Sequence, residues 1–208
     1  MSSWLDITRP LDDTLAPWPG RARPRHRWDR RLAAGDHCNV SFWEISAHAG
    51  THMDAPLHFV EGGQAIDQIP PDVFIGACRV VELAAPLDEP AARRYAGVQR
   101  LLIKTAHSQS SSEAGYADHE ALLTEPAAAL LLDRGLRLIG TDRLSVDDSR
   151  GRSFRLHQMI LGAGCVIVEG LLLAGAREGD YTLSAAPLRL TGTEASPIRA
   201  LLKEEPPA

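Results

Sequence analysis

The sequence predicts an α/β fold, α+β-like in character, with a mixed β-sheet and few helices. Short apolar runs of strand length outnumber the helical segments, and several connections are too short for a β-α-β crossover. The chain has 208 residues, of which 44% are hydrophobic and 24% charged. These values fit a soluble globular protein, and we expect residues 1–208 to form one domain.

Seven strands are expected where short apolar runs are bounded by turn residues. They cover residues 4–8, 39–46, 77–83, 100–105, 136–141, 165–172 and 181–190. The second strand leads directly into a histidine-rich segment, so its end is the first place to look for a functional site.

Two helices are expected among these strands. Over residues 125–134, Thr124 can cap the first turn, Pro126 suits that turn, and Gly135 can end the helix. The second helix covers residues 154–161 and is followed by a glycine-rich turn that leads into the sixth strand.

Charge and cysteine content indicate which partners and which cellular compartment to expect. The net charge of −5 does not favour nucleic-acid binding, and the basic run from Arg21 to Arg31 reads as a solvated loop. Three widely spaced cysteines indicate no disulfide framework, so a cytoplasmic protein is expected. We find neither a secretory signal nor an apolar run of about 20 residues, and expect no membrane partner. Trp28 and Trp43 are expected to be packing residues.

The segment HAGTHMDAPLHF, residues 48–59, carries the clearest functional signal. His48, His52, Asp54 and His58 stand at even offsets, so in an extended backbone all four side chains can lean to one side. The glycine and the proline between them favour a bent, extended loop over a helix. Imidazole and carboxylate are ligands that borderline divalent metals prefer, and the segment therefore predicts a metal site.

Glu169 supplies a second signal, because it interrupts the apolar run CVIVEGLL. Burying a carboxylate without a partner costs several kcal/mol of stability, so Glu169 needs a cation or a metal beside it. A strand-end glutamate that reaches solvent or pairs with an arginine is the alternative. His157 lies on the preceding predicted helix, and a helix, turn and return strand could bring it to Glu169. With the first segment this gives five or six potential ligands, enough for two metals that share carboxylates.

The segment resembles the HxGTHxDxPxHF signature of the cyclase family of metal-dependent hydrolases, which includes bacterial kynurenine formamidases and isatin hydrolases. The resemblance extends to LDITRPL at residues 5–11, PWPG at residues 17–20 and ASPIR at residues 195–199. It covers nearly the whole chain and fits the kynurenine formamidase branch most closely. It implies a swivelling β/β/α domain and a homodimer or homotetramer.

The resemblance also implies a ligand set. His48, His52 and Asp54 match the ligands of a first metal, and Asp54, His157 and Glu169 match those of a second. In the family pattern Asp54 and Glu169 each contact both ions. The implied cofactor is two divalent ions per subunit, Zn²⁺ by preference with Mn²⁺ as the alternative.

Two further residues acquire roles by resemblance. His58 matches the catalytic histidine, whereas the residues alone leave an extra ligand or a structural histidine open. Trp18 matches an aromatic residue that lines the substrate site, whereas a core or dimer-interface tryptophan is the alternative reading. His107 and His119 lie in a polar stretch and are expected at the surface.

The implied activity is hydrolysis of N-formyl-L-kynurenine to L-kynurenine and formate in tryptophan degradation, with an aryl formamide as the small-molecule partner. The chain departs from that branch after Gly20, where it reads RARPR, and over residues 140–147, where it reads GTDRLSVD. Both are substrate-side loops by resemblance. Two alternatives therefore stay open: an isatin hydrolase-like enzyme acting on another cyclic amide, lactone or amide, and a catalytically silent metal-binding protein.

Overall fold

The computed structural model describes residues 4–15, 17–18, 20–109, 120–148 and 153–204. Its strands are β1 (Trp4–Asp6), β2 (Arg25–Arg30), β3 (Val40–Glu44), β4 (His52–Asp54), β5 (Ile75–Glu82), β6 (Arg100–Lys104), β7 (Leu138–Thr141), β8 (Val166–Glu169), β9 (Gly179–Pro187) and β10 (Ala195–Glu204). Its α-helices are α1 (Pro71–Phe74), α2 (Glu89–Ala92), α3 (Glu125–Asp133) and α4 (Arg155–Gly162). No helix within these ranges is long and apolar enough to cross a membrane.

Eight strands form one mixed sheet in the order β1-β10-β4-β8-β7-β6-β5-β9. The neighbours from β5 to β8 are parallel, and the other pairings are antiparallel. Because β9 also pairs with β10, the sheet closes on itself into a barrel-like arrangement. The predicted α/β class, with a mixed sheet and few helices, is confirmed.

Successive side chains of a strand point to opposite faces of the sheet, and the core therefore consists of two clusters. Val80 and Leu102 belong to a cluster drawn from strands all around the closed sheet. Val81, Ile103 and Ile167 point to the opposite face, where they pack against α2, α3 and α4. The central strands are therefore buried on both faces, which explains why they read as continuous apolar runs in the sequence.

Both predicted helices are present. The Thr124 hydroxyl accepts a hydrogen bond from the Ala127 N–H at the start of α3, and Gly135 follows the helix with φ 91°. Helix α4 begins after Phe154, whose φ of 43° is in the left-handed region. A bulky residue in that region carries a strain of about 1–3 kcal/mol, and such strain clusters at functional sites.

Two expectations about local structure are wrong. Arg25–Arg30 is strand β2 and not a loop, and it pairs with β3 in a separate two-stranded sheet. Trp28 and Trp43 on this ribbon are 43% and 44% exposed, so they are not packing residues in the single chain. Strand β10 was not expected either, although it closes the main sheet. Its partners β1, β4 and β9 are remote in sequence, so a local pattern does not reveal them.

A close backbone approach joins the end of β8 to the turn before β4. Gly170 follows Glu169 with φ 70°, and a Cβ at this position would lie 2.5 Å from the Gly50 carbonyl oxygen. The Thr51 hydroxyl donates to the Gly170 carbonyl at 2.7 Å. Only glycine tolerates both this φ and this contact, so the approach holds His52 beside Glu169.

We predict that Gly170→Ala lowers the free energy of unfolding by about 3 kcal/mol, because a methyl group would meet backbone as well as adopt a left-handed φ. Gly135→Ala is the matched control, since its φ is 91° but no atom lies within 4 Å of the added Cβ. It should cost about 1 kcal/mol. Urea denaturation measures both, and equal costs would contradict the steric argument.

Candidate metal centre

Strands β4 and β8 bring the first pair of predicted ligands together. They run antiparallel with His52 directly opposite Glu169 in the register. Both side chains are buried, and Nε2 of His52 lies 3.6 Å from Oε2 of Glu169. Nδ1 of His52 lies 3.0 Å from the Gly50 carbonyl oxygen, to which it can donate, and this contact leaves Nε2 facing the carboxylate.

Asp54 stands at the centre of the cluster and is 1% exposed. Its Oδ1 lies 2.9 Å from Nδ1 of His48 and 3.5 Å from Nε2 of His52, and its Oδ2 lies 3.6 Å from Nε2 of His157. Within the described residues, neither oxygen accepts a hydrogen bond of normal geometry. A buried carboxylate in this state is costly, whereas a cation between it and the histidines would satisfy it. The donor set therefore fits a divalent metal.

Helix α4 and strand β8 complete the cluster as the sequence predicted. The chain turns back at Gly164 (φ 78°), so that Nε2 of His157 lies 3.3 Å from Oε1 of Glu169. The same Oε1 accepts a hydrogen bond from the Val146 N–H at 2.9 Å. Glu169 is 4% exposed, so it is neither a solvent-facing strand end nor, among the described residues, one side of an arginine pair.

The candidate ligand atoms form two overlapping groups, in each of which all atoms lie within 4.8 Å of one another. One group is His48, Asp54 and His58, and the other is His52, Asp54 and Glu169. His157 belongs to neither group, but its Nε2 lies 3.3 Å from Glu169 and 3.6 Å from Asp54, so all five predicted ligands lie in one cluster. His58 is close enough to join them. Asp54 is common to both groups, as a residue shared between two ions would be.

The even spacing of the motif explains only part of this geometry. Only His52 and Asp54 lie on a strand, whereas His48 lies in a turn and His58 ends the 3-10 helix Pro56–His58. The left-handed Gly50 (φ 63°) redirects the chain between His48 and β4. The bent course was expected from glycine and proline, but the two outer histidines reach the cluster through turns and not through strand alternation.

The cluster attracts positive charge. Burial alone would lower the pKa of His157, but the Glu169 charge, the hydrogen bond to Asp147 and the nearby Asp54 carboxylate outweigh it and raise that pKa to about 12. Burial would likewise raise the pKa of Asp54, and the neighbouring histidines instead hold it low. The two buried carboxylates therefore bind either protons on imidazole or a metal ion, and the two compete.

His58 differs from His48 and His157, whose pKa values are raised by neighbouring carboxylates. Burial lowers its pKa, and the opposing attraction of Asp54 does not compensate. Its ring lies 4.4 Å from that of His48, centroid to centroid, and it borders the open cavity. A neutral imidazole at this position can accept a proton at neutral pH and release it again.

The cluster opens into a cavity of about 990 Å³. Trp18, Phe59 and Phe154 supply aromatic surface to its wall, with the Phe59 and Phe154 centroids 5.5 Å apart. Arg21 also lines it. His107, which was expected at the surface, is half-buried and lines the same cavity; His119 lies outside the described residues.

Two carboxylates at the cluster were missed in the sequence. Glu194 precedes β10, and its Oε1 lies 3.1 Å from Nε2 of His48; Asp147 Oδ2 lies 2.6 Å from Nδ1 of His157. Ala195 pairs with Asp54 across β4 and β10, so Glu194 could be found only once that pairing was known. Asp147 belongs to the loop assigned above to the substrate side, but it contacts a predicted metal ligand.

The chain is similar to known proteins over most of its length. A family model described as "Putative cyclase" matches residues 5–148. A relative from Salinibacter ruber named kynurenine formamidase is 35% identical over 210 residues, covering 97% of this chain and 98% of its own length.

Two solved structures share the fold. One, described as a predicted metal-dependent hydrolase from Bacillus stearothermophilus, is 28% identical with a TM-score of 0.81, covering 99% of this chain and 100% of the other. Isatin hydrolase A from Labrenzia aggregata is 23% identical with a TM-score of 0.81, covering 97% of this chain and 93% of the other, and supports the fold alone. With the family model matched over more than half of its length, the chain belongs to the cyclase family.

Proposed function

We propose that this chain is a metal-dependent amidohydrolase that hydrolyses N-formyl-L-kynurenine to L-kynurenine and formate in tryptophan degradation. The observation that carries the proposal is the buried cluster around Asp54, which opens beside the neutral His58 into an aromatic-lined cavity. The Salinibacter ruber relative named kynurenine formamidase, similar over nearly the full length of both chains, supports the substrate.

We propose that the cluster holds two divalent ions, Zn²⁺ by preference and Mn²⁺ as the alternative. His48, His52 and Asp54 would hold one ion, and Asp54, His157 and Glu169 the other. The positions of the Asp54 oxygens support this division, since Oδ1 faces two histidines and Oδ2 faces the third. When bound, such ions supply Lewis acidity, which lowers the pKa of water from 15.7 to about 7 and polarises a carbonyl group.

The side chains around the cluster would complete the reaction. The oxygen of water adds to the formyl carbon, and His58 accepts the proton that the water loses. As the bond from carbon to the aryl nitrogen breaks, His58 returns the proton to that nitrogen, which is otherwise a poor leaving group. Trp18, Phe59 and Phe154 would enclose the aryl ring and exclude bulk water.

The second candidate is hydrolysis of a cyclic amide or lactone, as in isatin hydrolase. The arginine-rich sequence after Gly20 favours it, because an arginine at the cavity suits an anionic substrate or product. A catalytically silent metal-binding protein is the third, and the position of His58 between the cluster and the cavity argues against it.

Hydrolysis of N-formylkynurenine by zinc-loaded protein tests the proposal directly, with the kynurenine absorbance as readout. We expect turnover that a chelator abolishes and added zinc restores. Isatin, an aryl lactone and an aliphatic formamide serve as comparison substrates. If the protein carries metal but hydrolyses only isatin or the lactone, the proposed substrate is wrong and the metal centre stands. No turnover of any substrate would support the silent alternative.

Both shared carboxylates should be needed for full metal content. We predict that Asp54→Asn and Glu169→Gln each reduce zinc bound per chain, because each removes a charged ligand that faces more than one histidine. Elemental analysis after dialysis measures the ratio. Asp142→Asn is the matched control: Asp142 is also buried at the cavity, but its carboxylate is bonded to Thr105 and Ser108. Full occupancy in the first two variants would refute the two-ion assignment.

His58 should be needed for turnover and not for metal binding. We predict that His58→Ala retains its zinc and loses about 10²- to 10⁴-fold in kcat, the range typical of a general acid–base residue. His107→Ala provides a control histidine on the same cavity. Loss of metal from His58→Ala would make His58 a ligand, and an unchanged kcat would remove it from the mechanism.

We propose that the protein is a homodimer or a homotetramer of such dimers, and that the ribbon β2–β3 is the surface bound by a second copy. Both strands are exposed along nearly their whole length, with Trp28, Phe42 and Trp43 each more than 40% exposed. An isolated two-stranded ribbon is only marginally stable in water, and clustered aromatic exposure marks an interaction surface.

Charge supports a second copy as the partner of the ribbon. Residues 21–31 contain six arginines and one aspartate, a net charge of +5, and the whole chain has −5. The remainder of the chain therefore has a charge of −10, which is complementary to the basic segment 21–31 of another copy, and this segment includes strand β2 of the ribbon. Arg21 and Pro24 border the cavity, so the segment that leads into the ribbon adjoins the site.

We predict that Trp28→Ser with Trp43→Ser shifts the protein towards monomer, because the exposed indoles would anchor the interface. Light scattering after size-exclusion chromatography measures the mass over a range of protein concentrations. Leu188→Ser, at a site 57% exposed outside the ribbon, is the control. A wild-type monomer, or a double variant with unchanged mass, would contradict the proposal.

We also propose that the protein is cytoplasmic, that residues 1–208 act as one domain, and that nucleic acid is not a partner. Cys38, Cys78 and Cys165 form no disulfide with one another, which supports a reducing compartment. The two core clusters lie on the two faces of the same sheet, which supports one domain. The acidic net charge argues against a nucleic-acid surface.

A further inference from the structure

A buried carboxylate lies directly behind one candidate ligand. Asp147 is 8% exposed, and its Oδ2 lies 2.6 Å from Nδ1 of His157. The other ring nitrogen, Nε2, lies 3.3 Å from Glu169 and 3.6 Å from Asp54. The imidazole thus stands between an outer carboxylate and the two carboxylates of the cluster, with a different nitrogen towards each.

The same carboxylate also holds the start of the helix that carries His157. Oδ1 of Asp147 accepts a hydrogen bond from the Leu156 N–H at 2.9 Å, and Oδ2 accepts one from the His157 N–H at 3.1 Å. Phe154, the residue that precedes α4, makes no side-chain cap. Asp147 therefore caps α4 from outside the helix. Its two oxygens accept hydrogen bonds from two backbone N–H groups and one ring N–H.

The outer contacts of the three candidate histidine ligands differ in kind. Nδ1 of His52 faces the neutral carbonyl of Gly50, and Nε2 of His48 faces Glu194, whose side chain is 40% exposed. Only Asp147 combines a negative charge with burial. A charged acceptor behind a ring makes the opposite nitrogen a stronger ligand, and water cannot replace that acceptor where it is buried.

We propose that Asp147 is a positioning residue of the metal centre, which directs Nε2 of His157 towards the ion shared with Asp54 and Glu169 and strengthens its binding. The inference rests on the metal centre of the proposed function, but not on the identity of the substrate. Under this proposal the loop 140–147 contributes to metal affinity, whereas the resemblance to the family placed it on the substrate side.

The chemistry of the amide makes Asp147→Asn an informative variant. Asparagine has nearly the same shape but only one acceptor oxygen, so it cannot serve both the ring and the two backbone donors. Asp147→Ser is the second variant, because a hydroxyl can accept a helix N–H but carries no charge. Asp88→Asn is the matched control, since Asp88 caps α2 through the Ala91 N–H and contacts no histidine.

The experiment is a zinc titration of the metal-free full-length chain against a competing chelator, which resolves the two binding steps, together with urea denaturation of each variant. We expect Asp147→Asn and Asp147→Ser to weaken one step by about 10- to 100-fold and to leave the other unchanged. Asp88→Asn should leave both steps unchanged while it loses about as much stability as a helix cap supplies, about 1 kcal/mol.

Three results would overturn the inference. Unchanged zinc affinities with lowered stability would make Asp147 a helix cap only, and equal weakening of both steps would indicate general loosening of the site. A wild-type chain that binds no zinc would overturn the metal centre, and this assignment with it. Wild-type protein that binds two ions but does not hydrolyse N-formylkynurenine would reject the proposed substrate and leave the role of Asp147 intact.

Discussion

The charge of Asp54 must be balanced inside the protein, because its carboxylate is 1% exposed and both oxygens face histidine nitrogens. No hydrogen bond of normal geometry within the described residues satisfies these oxygens. A second carboxylate, Glu169, lies in the same cluster and adds to the demand for positive charge. Protons on the imidazole rings or bound metal ions can supply this positive charge.

Backbone packing positions the side chains of the cluster. The pairing of β4 with β8 sets His52 opposite Glu169, and the approach of Gly170 to the Gly50 carbonyl fixes the turn that leads into β4. The Thr51 hydroxyl closes the same contact. Backbone contacts of this kind hold the ligand side chains in place, which lowers the conformational cost of forming a site from them.

The sequence predicted the parts of the fold and site that depend on local pattern. The strands of the main sheet other than β4 and β10, and the helices α3 and α4, were expected from apolar runs and capping residues. The approach of His157 to Glu169 was expected from a helix, a turn and a return strand, since that path is short and its geometry is restricted. The resemblance to a family signature added ligand roles, which the bare spacing left open.

The sequence by itself thus determined the α/β class, most strands and the residue types at the site. Tertiary structure decided what depends on pairing between distant segments. The pairing of β10 with β4 brings Glu194 to the cluster, and the fold of loop 140–147 brings Asp147 behind His157. It also decided that Trp28 and Trp43 lie on an exposed ribbon. Local periodicity reports which face of an element is apolar, but not which distant element, or which other chain, covers that face.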